Sequence, residues 1–311
     1  MTLSELEVIK EFLQAKQPIT TSELENNLIL YSDQDFATNI SGKFLLIRTT
    51  DDSVRQRDFM KMIRRNIIFY VLNYSDYLDL SDTEKDEIIK KHVDLYIKAR
   101  EKFQTKSDRI GEAGELILFL LLEAEGISQI VSKMRLKTDN EWPFHGVDAI
   151  HLEIKDGKVI FHYGESKMRK TFEIALSKSI DSIENFESKP KEEDIEVDLI
   201  STNIDKSKFE GFAEEIVKLV NPYTKNKEHV GHKYSVFLGF DWDLLKDLSK
   251  KAKDDLQKYV KVQYEKEHPK LIEKIQKAVL GSQKIKDKRF KFYLLPFQNE
   301  EEFRVSFRDE L

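Results

Sequence analysis

Cysteine is absent from this 311-residue chain, which excludes disulfide bonds and thiolate metal sites. Long apolar runs are also absent, since the longest solid run near the middle, Leu116 to Leu122, is far too short to span a bilayer. The N-terminus carries Glu5 and Glu7 and shows no basic-then-apolar signal pattern. We therefore expect a cytoplasmic protein with no membrane partner, in which carboxylates are the natural ligands of any metal.

An excess of positive charge is lacking as well. The formal net charge is −6 and the isoelectric point is near 5.8, so the molecule as a whole is not an electrostatic binder of nucleic acid. Any DNA contact must therefore come from local basic patches or from a partner. Candidate patches are Lys133, Arg135 and Lys137, and Lys167, Arg169, Lys170 and Lys178. Taken singly, such clusters are usually solvated faces.

Several motifs that carry enzyme chemistry are missing. The sequence contains no Gly-rich phosphate loop, no Gly-x-Ser-x-Gly elbow and no internal repeat. Its seven histidines do not fall at metal-ligand spacings. The sequence therefore does not indicate a nucleotide-binding loop, a serine hydrolase elbow or a histidine-based metal site.

The stretch GVDAIHLEIKDGKVIFHYGESK, from Gly146 to Lys167, predicts a β-hairpin. Asp156-Gly157 stands between two alternating segments, and such a pair favours a two-residue type I′ turn. Counting outward from the turn pairs Lys155 with Lys158, Ile154 with Val159, Leu152 with Phe161, Ile150 with Tyr163 and Asp148 with Glu165. Strand alternation puts Lys167 on the same face as both carboxylates. The hairpin thus places two acids and one amine at the open end of an apolar face.

The two opposed carboxylates predict a metal site. Directly opposed strand residues have Cβ atoms about 4.5–5.5 Å apart, where like charges repel. One Mg²⁺ between Asp148 and Glu165 would satisfy both, because carboxylate oxygens bind this ion at about 2.0–2.1 Å. The alternative is a simple salt bridge between Lys167 and one of the acids at a solvated sheet end.

A helix predicted before the hairpin supplies further acids. The segment SDRIGEAGELILFLLLEAEG can be capped by Ser107 or Asp108 and ended by Gly126. Glu112 and Glu115 lie three residues apart on one face of this helix. We interpret Glu112 as a first-turn acid that complements the helix dipole. Glu115 lies deeper, where a carboxylate is costly unless it is paired or bound to metal.

The sequence divides into two regions. Residues 1–106 form a mostly helical N-terminal region without a cluster of candidate catalytic or metal-binding residues. We interpret this region as a scaffold or partner-binding surface. Residues 107–311 form the domain that carries the acids. Predicted helices cover about residues 2–16, 51–74, 81–103, 172–186, 209–220, 242–280 with an interruption near Pro269, and 300–311. Predicted strands outside the hairpin cover 43–49, 127–136, 195–201, 234–240 and 290–297.

This order of elements resembles the PD-(D/E)xK nuclease superfamily over about residues 108–186. The matching residues are Glu115 in GEAGE, Asp148 in GVDAIH, and Glu165 with Lys167 in GESK. Val147 stands in place of the proline that names the motif, which many members also lack. The resemblance implies an α/β fold with a restriction-endonuclease-like core, in which a mixed central sheet is flanked by helices.

A finer likeness extends from about residue 100 to the C-terminus. The segments RIGEAGELIL, HGVDAIH and HYGESK, the serine-rich helix after them, and the late strands YSVFLGFDW and FKFYLLPF resemble the HamA family. Members of this family are the nuclease-type subunits of Hachiman anti-phage defence systems. The resemblance implies a partner, the superfamily 2 helicase HamB, which engages DNA and restrains or releases the nuclease.

These observations lead to one main hypothesis, a metal-dependent DNA phosphodiesterase that uses Mg²⁺ or Mn²⁺. Asp148 and Glu165 would bind one or two ions, Glu115 would complete the ligand set or orient a water, and the backbone carbonyl of Ser166 would add a ligand. Lys167 would position the attacking water and stabilise charge on the phosphate. Two alternatives remain: a nuclease-like regulatory or binding subunit of a helicase complex, and a stand-alone restriction-type endonuclease.

Overall fold

A computed structural model describes residues 3–50, 53–77, 85–104, 111–132, 147–188, 204–209, 211–220, 230–246, 248 and 255–311. Its strands are β1 (Leu28–Ala37), β2 (Ile40–Ile47), β3 (Ser128–Ser132), β4 (Ala149–Lys155), β5 (Lys158–Arg169), β6 (Val230–Asp241) and β7 (Phe290–Phe297). Within these residues the strands form one mixed sheet in the order β1-β2-β7-β6-β5-β4-β3. The neighbours β2, β7, β6 and β5 run parallel, and antiparallel pairs flank them on both sides.

Helices cover both faces of this sheet. They are α1 (Leu3–Ala15), α2 (Thr21–Glu25), α3 (Gln56–Arg65), α4 (Ile67–Val71), α5 (Tyr74–Tyr77), α6 (Lys85–Gln104), α7 (Glu112–Ala124), α8 (Phe172–Glu187), α9 (Ala213–Val220), α10 (Asp243–Lys246), α11 (Leu256–Leu280) and α12 (Glu300–Asp309). One core contains side chains of α1, α8, α9 and α11, and the other contains side chains of α3, α4, α7 and α12. The α/β class, with a mixed central sheet between helices, is confirmed. Among the described helices, none has an apolar stretch long enough to cross a bilayer.

The hairpin β4–β5 forms as predicted. Its observed pairs include Lys155 with Lys158, Ile154 with Val159, Leu152 with Phe161 and Ile150 with Tyr163. The turn residues Asp156 and Gly157 have φ angles of 51° and 69°, the left-handed backbone that a type I′ turn requires at both positions. Local turn chemistry therefore sets the register, and burial of one face preserves it.

The N-terminal region contributes two strands to the same sheet. Strand β2 pairs in parallel with β7, from Ile40 opposite Phe290 to Phe44 opposite Leu294, and β1 then pairs with β2. Strand β2 matches the predicted strand at 43–49, whereas β1 is not predicted. The sheet crosses the boundary placed near residue 106, and that division stays a prediction.

Two predicted helices differ from the structure. The helix expected at 51–74 is two shorter helices, α3 and α4, which meet at Asn66. The interruption expected near Pro269 is wrong, because α11 continues through this residue. An interior proline removes one helical hydrogen bond, but Leu271, Ile275 and Val279 after it all pack into the core.

Some predictions fall on residues outside those that the structure describes. They are the caps Ser107 and Asp108, the basic patch Lys133, Arg135 and Lys137, and the strand at 195–201. The predicted end of α7 is confirmed, since Gly126 has a φ of 79° and its N–H donates to the carbonyl of Glu123.

Candidate functional site

The predicted acids and lysine lie where β5 extends beyond β4. Along β5, alternate side chains Phe161 and Tyr163 pack into the core beneath α8, and Glu165 and Lys167 follow on the same face. Glu165 is only 1% exposed, whereas the Lys167 side chain is 21% exposed. The strand therefore carries a buried carboxylate and a partly accessible amine at the end of an apolar face.

Asp148 is fixed beside Glu165 by two backbone contacts. The hairpin ladder ends at the pair Ala149 and Gly164, so the predicted pairing of Asp148 with Glu165 is not among the observed pairs. Instead, the Asp148 N–H donates to the carbonyl of Gly164 at 2.8 Å. Its carboxylate oxygen Oδ2 accepts a hydrogen bond from the N–H of Ser166 at 2.9 Å. The side chain is buried, so its direction is set by the strand that carries Glu165.

Glu165 is held by neighbours on two elements. The Lys167 amine donates to Glu165 Oε1 and also to the Ser166 carbonyl, at 3.2 Å from that oxygen. The Ser182 hydroxyl, on α8, is a further hydrogen-bond partner of Glu165. Burial, and then the charge of Asp148, raise the pKa of Glu165 to about 8, although Lys167 opposes the shift. Two buried acids thus lie close together, and their mutual repulsion favours the protonated form of Glu165.

Glu115 lies on the other side of the sheet, on α7, and approaches the site through a tyrosine. The buried hydroxyl of Tyr70 donates to Glu115 Oε2 at 2.9 Å. Burial raises the pKa of Tyr70 well above its usual value, and the charges of Glu115, Asp148 and Glu112 act in the same direction. Asp148 therefore lies within electrostatic reach of both groups, Glu165 with Lys167 and Tyr70 with Glu115. Glu112 is buried, at 7% exposure, whereas Glu115 is only partly buried, so the expectation that Glu115 lies deeper than Glu112 is wrong.

The structure brings Asp148, Glu165, Ser166 and Lys167 into direct contact, and the hydroxyl of Tyr70, which donates to Glu115, lies within electrostatic reach of Asp148. Among the described residues, no three Asp, Glu or His side chains stand close enough together to hold an ion. The donor chemistry nevertheless suits Mg²⁺, which is typically bound by one or two carboxylates and keeps several waters. Tyr70 and Ser182 are absent from the predicted site, because nothing in the sequence near either residue marks its contact with these acids.

A second polar cluster lies on the opposite face of the hairpin, around His162. His162 Nδ1 is 2.9 Å from the Ser235 hydroxyl, and His162 Nε2 is 2.8 Å from Glu153 Oε2. Lys233 adds its charge at 3.7 Å from Glu153. His162 and Ser235 have no exposed surface, which favours a structural role for this cluster.

Comparison with known proteins gives one match to a family. The model of the HamA family matches residues 22–311, which includes the hairpin, α7 and both late strands. A search of curated proteins finds no match. Because the matched region is nearly the whole chain, this protein belongs to the HamA family of Hachiman anti-phage defence proteins.

Proposed function

We propose that this protein is a metal-dependent DNA nuclease, the effector subunit of a cytoplasmic defence complex with a superfamily 2 helicase. One observation carries the proposal: two buried carboxyl groups, Asp148 and Glu165, lie close enough together at an open sheet end that the charge of Asp148 raises the pKa of Glu165, and the amine of Lys167 contacts Glu165. Two neighbouring buried acids are costly in a structural core and useful at a site that binds a cation. Membership of the HamA family supports the defence role.

Asp148, Glu165 and the carbonyl of Ser166 would hold the ion, Mg²⁺ or Mn²⁺, with Glu115 nearby as a further acid. When bound, the ion would supply the positive charge that acidifies an attacking water and offsets charge on the scissile phosphate. The chain itself orients the oxygen donors. The Ser166 N–H aims Asp148, and the Ser182 hydroxyl and the Lys167 amine together hold Glu165.

Lys167 has a separate task in this proposal. Its amine contacts both Glu165 and the Ser166 carbonyl, while about a fifth of the side chain is exposed, at 21%. A cation in this position can donate to a phosphate oxygen and to the attacking water, and so stabilise charge that develops during cleavage. The lysine thus belongs to the reacting centre rather than to a surface ion pair.

DNA would reach the site along a short basic segment. Arg169 and Lys170 directly follow Lys167, and Lys178 is exposed on α8. Three cations neutralise few phosphates, and the chain carries a net charge of −6. We therefore assign most of the DNA-binding affinity to the helicase partner, and the cleavage of the phosphodiester bond to this chain.

The test is a cleavage assay with Mg²⁺ on single-stranded and double-stranded DNA, with and without a HamB-type superfamily 2 helicase and ATP. Lys167→Ala should lower cleavage at least about 100-fold, because it removes a charge at the reacting centre. Lys158→Ala is the matched control, since Lys158 is an exposed lysine at the far end of the same strand, and it should cleave as the wild type does.

Equal cleavage by Lys167→Ala and the wild type would remove the proposed site. If the wild type cleaves no DNA in any arm but still binds the helicase, the chain is a nuclease-like binding subunit and the enzymatic proposal is wrong.

A further inference from the structure

Tyr70 connects the N-terminal region to the acid on α7. It lies on α4, a five-residue helix with four buried residues, and it has no exposed surface. Its ring packs against Phe119 with a centroid distance of 5.4 Å, and its hydroxyl donates to Glu115. Glu115 and Phe119 are four residues apart on α7 and so share one face of that helix. One face of α7 therefore receives both the ring and the hydroxyl of the same tyrosine.

The contact with Tyr70 restricts the direction of the Glu115 side chain. Glu115 is only partly buried, in the first turn of α7, and a hydrogen bond from a fixed hydroxyl limits the rotamers of a flexible glutamate. The hydroxyl that holds it also lies within electrostatic reach of Asp148. The tyrosine thus keeps the helix acid on the side of the sheet end where Asp148 lies.

We propose that Tyr70 is a positioning residue that orients Glu115 toward the site formed by Asp148 and Glu165. The inference rests on the proposed nuclease function and deepens it. Partners that orient metal ligands or neighbouring acids tune metal affinity without contacting the ion themselves. It follows that residues 56–71, which the sequence marks only as scaffold, take part in building the site.

Tyr70→Phe tests the inference because it removes the hydroxyl and keeps the ring against Phe119. Tyr293→Phe is the matched control: Tyr293 is also fully buried, and its hydroxyl donates to Glu125, just after α7, at 3.1 Å. Two quantities are measured, the unfolding temperature with and without Mg²⁺ and the Mg²⁺ concentration that gives half-maximal cleavage. Both variants should unfold at similarly lowered temperatures without Mg²⁺. Only Tyr70→Phe should raise the Mg²⁺ concentration for half-maximal cleavage, by at least about 10-fold.

A double variant separates positioning from a general loss of packing. If Tyr70 acts through Glu115, adding Tyr70→Phe to Glu115→Gln should not raise the Mg²⁺ requirement further. A wild-type Mg²⁺ requirement in Tyr70→Phe, or a full additional loss in the double variant, would overturn the inference and leave the nuclease proposal standing. If Mg²⁺ neither supports cleavage by the wild type nor raises its unfolding temperature, the proposed function fails and this inference falls with it.

Discussion

The two faces of one hairpin carry two carboxyl groups, Glu165 and Glu153, whose pKa values are shifted in opposite directions. On one face, burial and the charge of Asp148 raise the pKa of Glu165 to about 8. On the other face, burial alone would raise the pKa of Glu153, but the hydrogen bond with His162 and the charge of Lys233 lower it to about 2. The same pair of strands therefore holds one acid that its partners fully compensate and one that they do not.

The difference separates a structural network from a candidate reaction site. Ser235, His162 and Glu153 are linked in the order found in acyl-transfer triads. Ser235 and His162 are entirely buried, however, so no substrate can reach the serine. The cluster around Glu165 has a partly accessible amine and a carboxyl group whose pKa is raised by burial and by the charge of Asp148. Access and charge balance distinguish the two clusters better than the residue types do.

The largest expected effect is on cleavage. Glu165→Gln should lower Mg²⁺-dependent DNA cleavage about 1000-fold, because it removes one of the two carboxylates proposed to hold the ion. Glu153→Gln is the matched change on the opposite face and should keep cleavage within about 3-fold of the wild type. Initial rates at saturating Mg²⁺ decide the comparison. Comparable losses in both variants would mean that the two faces do not differ in function.

The next effect is on stability. Glu153→Ala leaves buried His162 Nε2 without its partner and takes the ion pair from Lys233, so it should lower the free energy of unfolding by about 2–3 kcal/mol. Glu165→Ala should lower it less in metal-free protein, because it also removes the repulsion with Asp148. Urea unfolding at neutral pH measures both values. An equal or larger loss in Glu165→Ala would contradict the repulsion between Glu165 and Asp148.

The smallest effect, for a change of one pH unit, is that of pH on the free energy of unfolding. Unfolded chains lose the Glu165 proton near pH 4.5, whereas the folded protein keeps it until about pH 8. The stability that this group contributes below pH 4.5 is therefore lost as the pH rises toward 8, by about 1.4 kcal/mol per pH unit. Glu165→Gln cannot titrate, so its advantage over the metal-free wild type should grow across this range.

The pKa of Glu153 is shifted in the opposite direction, and the same unfolding measurement tests that shift. Its lowered pKa contributes stability above pH 4.5, and that contribution is lost as the pH falls toward 2. Urea unfolding in the presence of a chelator, at a series of pH values, measures both differences. A constant difference between the wild type and Glu165→Gln from about pH 5 to pH 8 would show that the pKa of Glu165 is not raised.

The sequence predicts the hairpin and its acids well because their determinants are local. The turn at Asp156 and Gly157 and the alternation on both sides of it lie within 22 residues, from 146 to 167. Strand β1 is harder to predict, since Ser32, Asp33, Gln34 and Asp35 are typical of turns and the strand lies at the sheet edge. The metal and the nuclease activity stay predictions.

Contacts between distant parts of the chain explain what the sequence does not show. Tyr70 and Glu115 are 45 positions apart, and His162 and Ser235 are 73 apart. A lone tyrosine in an apolar segment, or a serine in a strand, carries no sign of its partner. These contacts depend on the packing of α4 on α7 and on the parallel pairing of β5 with β6.

The parallel pairing of β2 with β7 determines how far the protein can be shortened. The outer edge of β7, from Phe290 to Leu294, is covered by a strand that comes from the first fifty residues of the chain. Removing those residues would leave a row of unpaired amides and carbonyls beside buried aromatic rings. Bare edges of this kind recruit strands from other molecules, so a trimmed version would aggregate instead of yielding an isolated catalytic fragment.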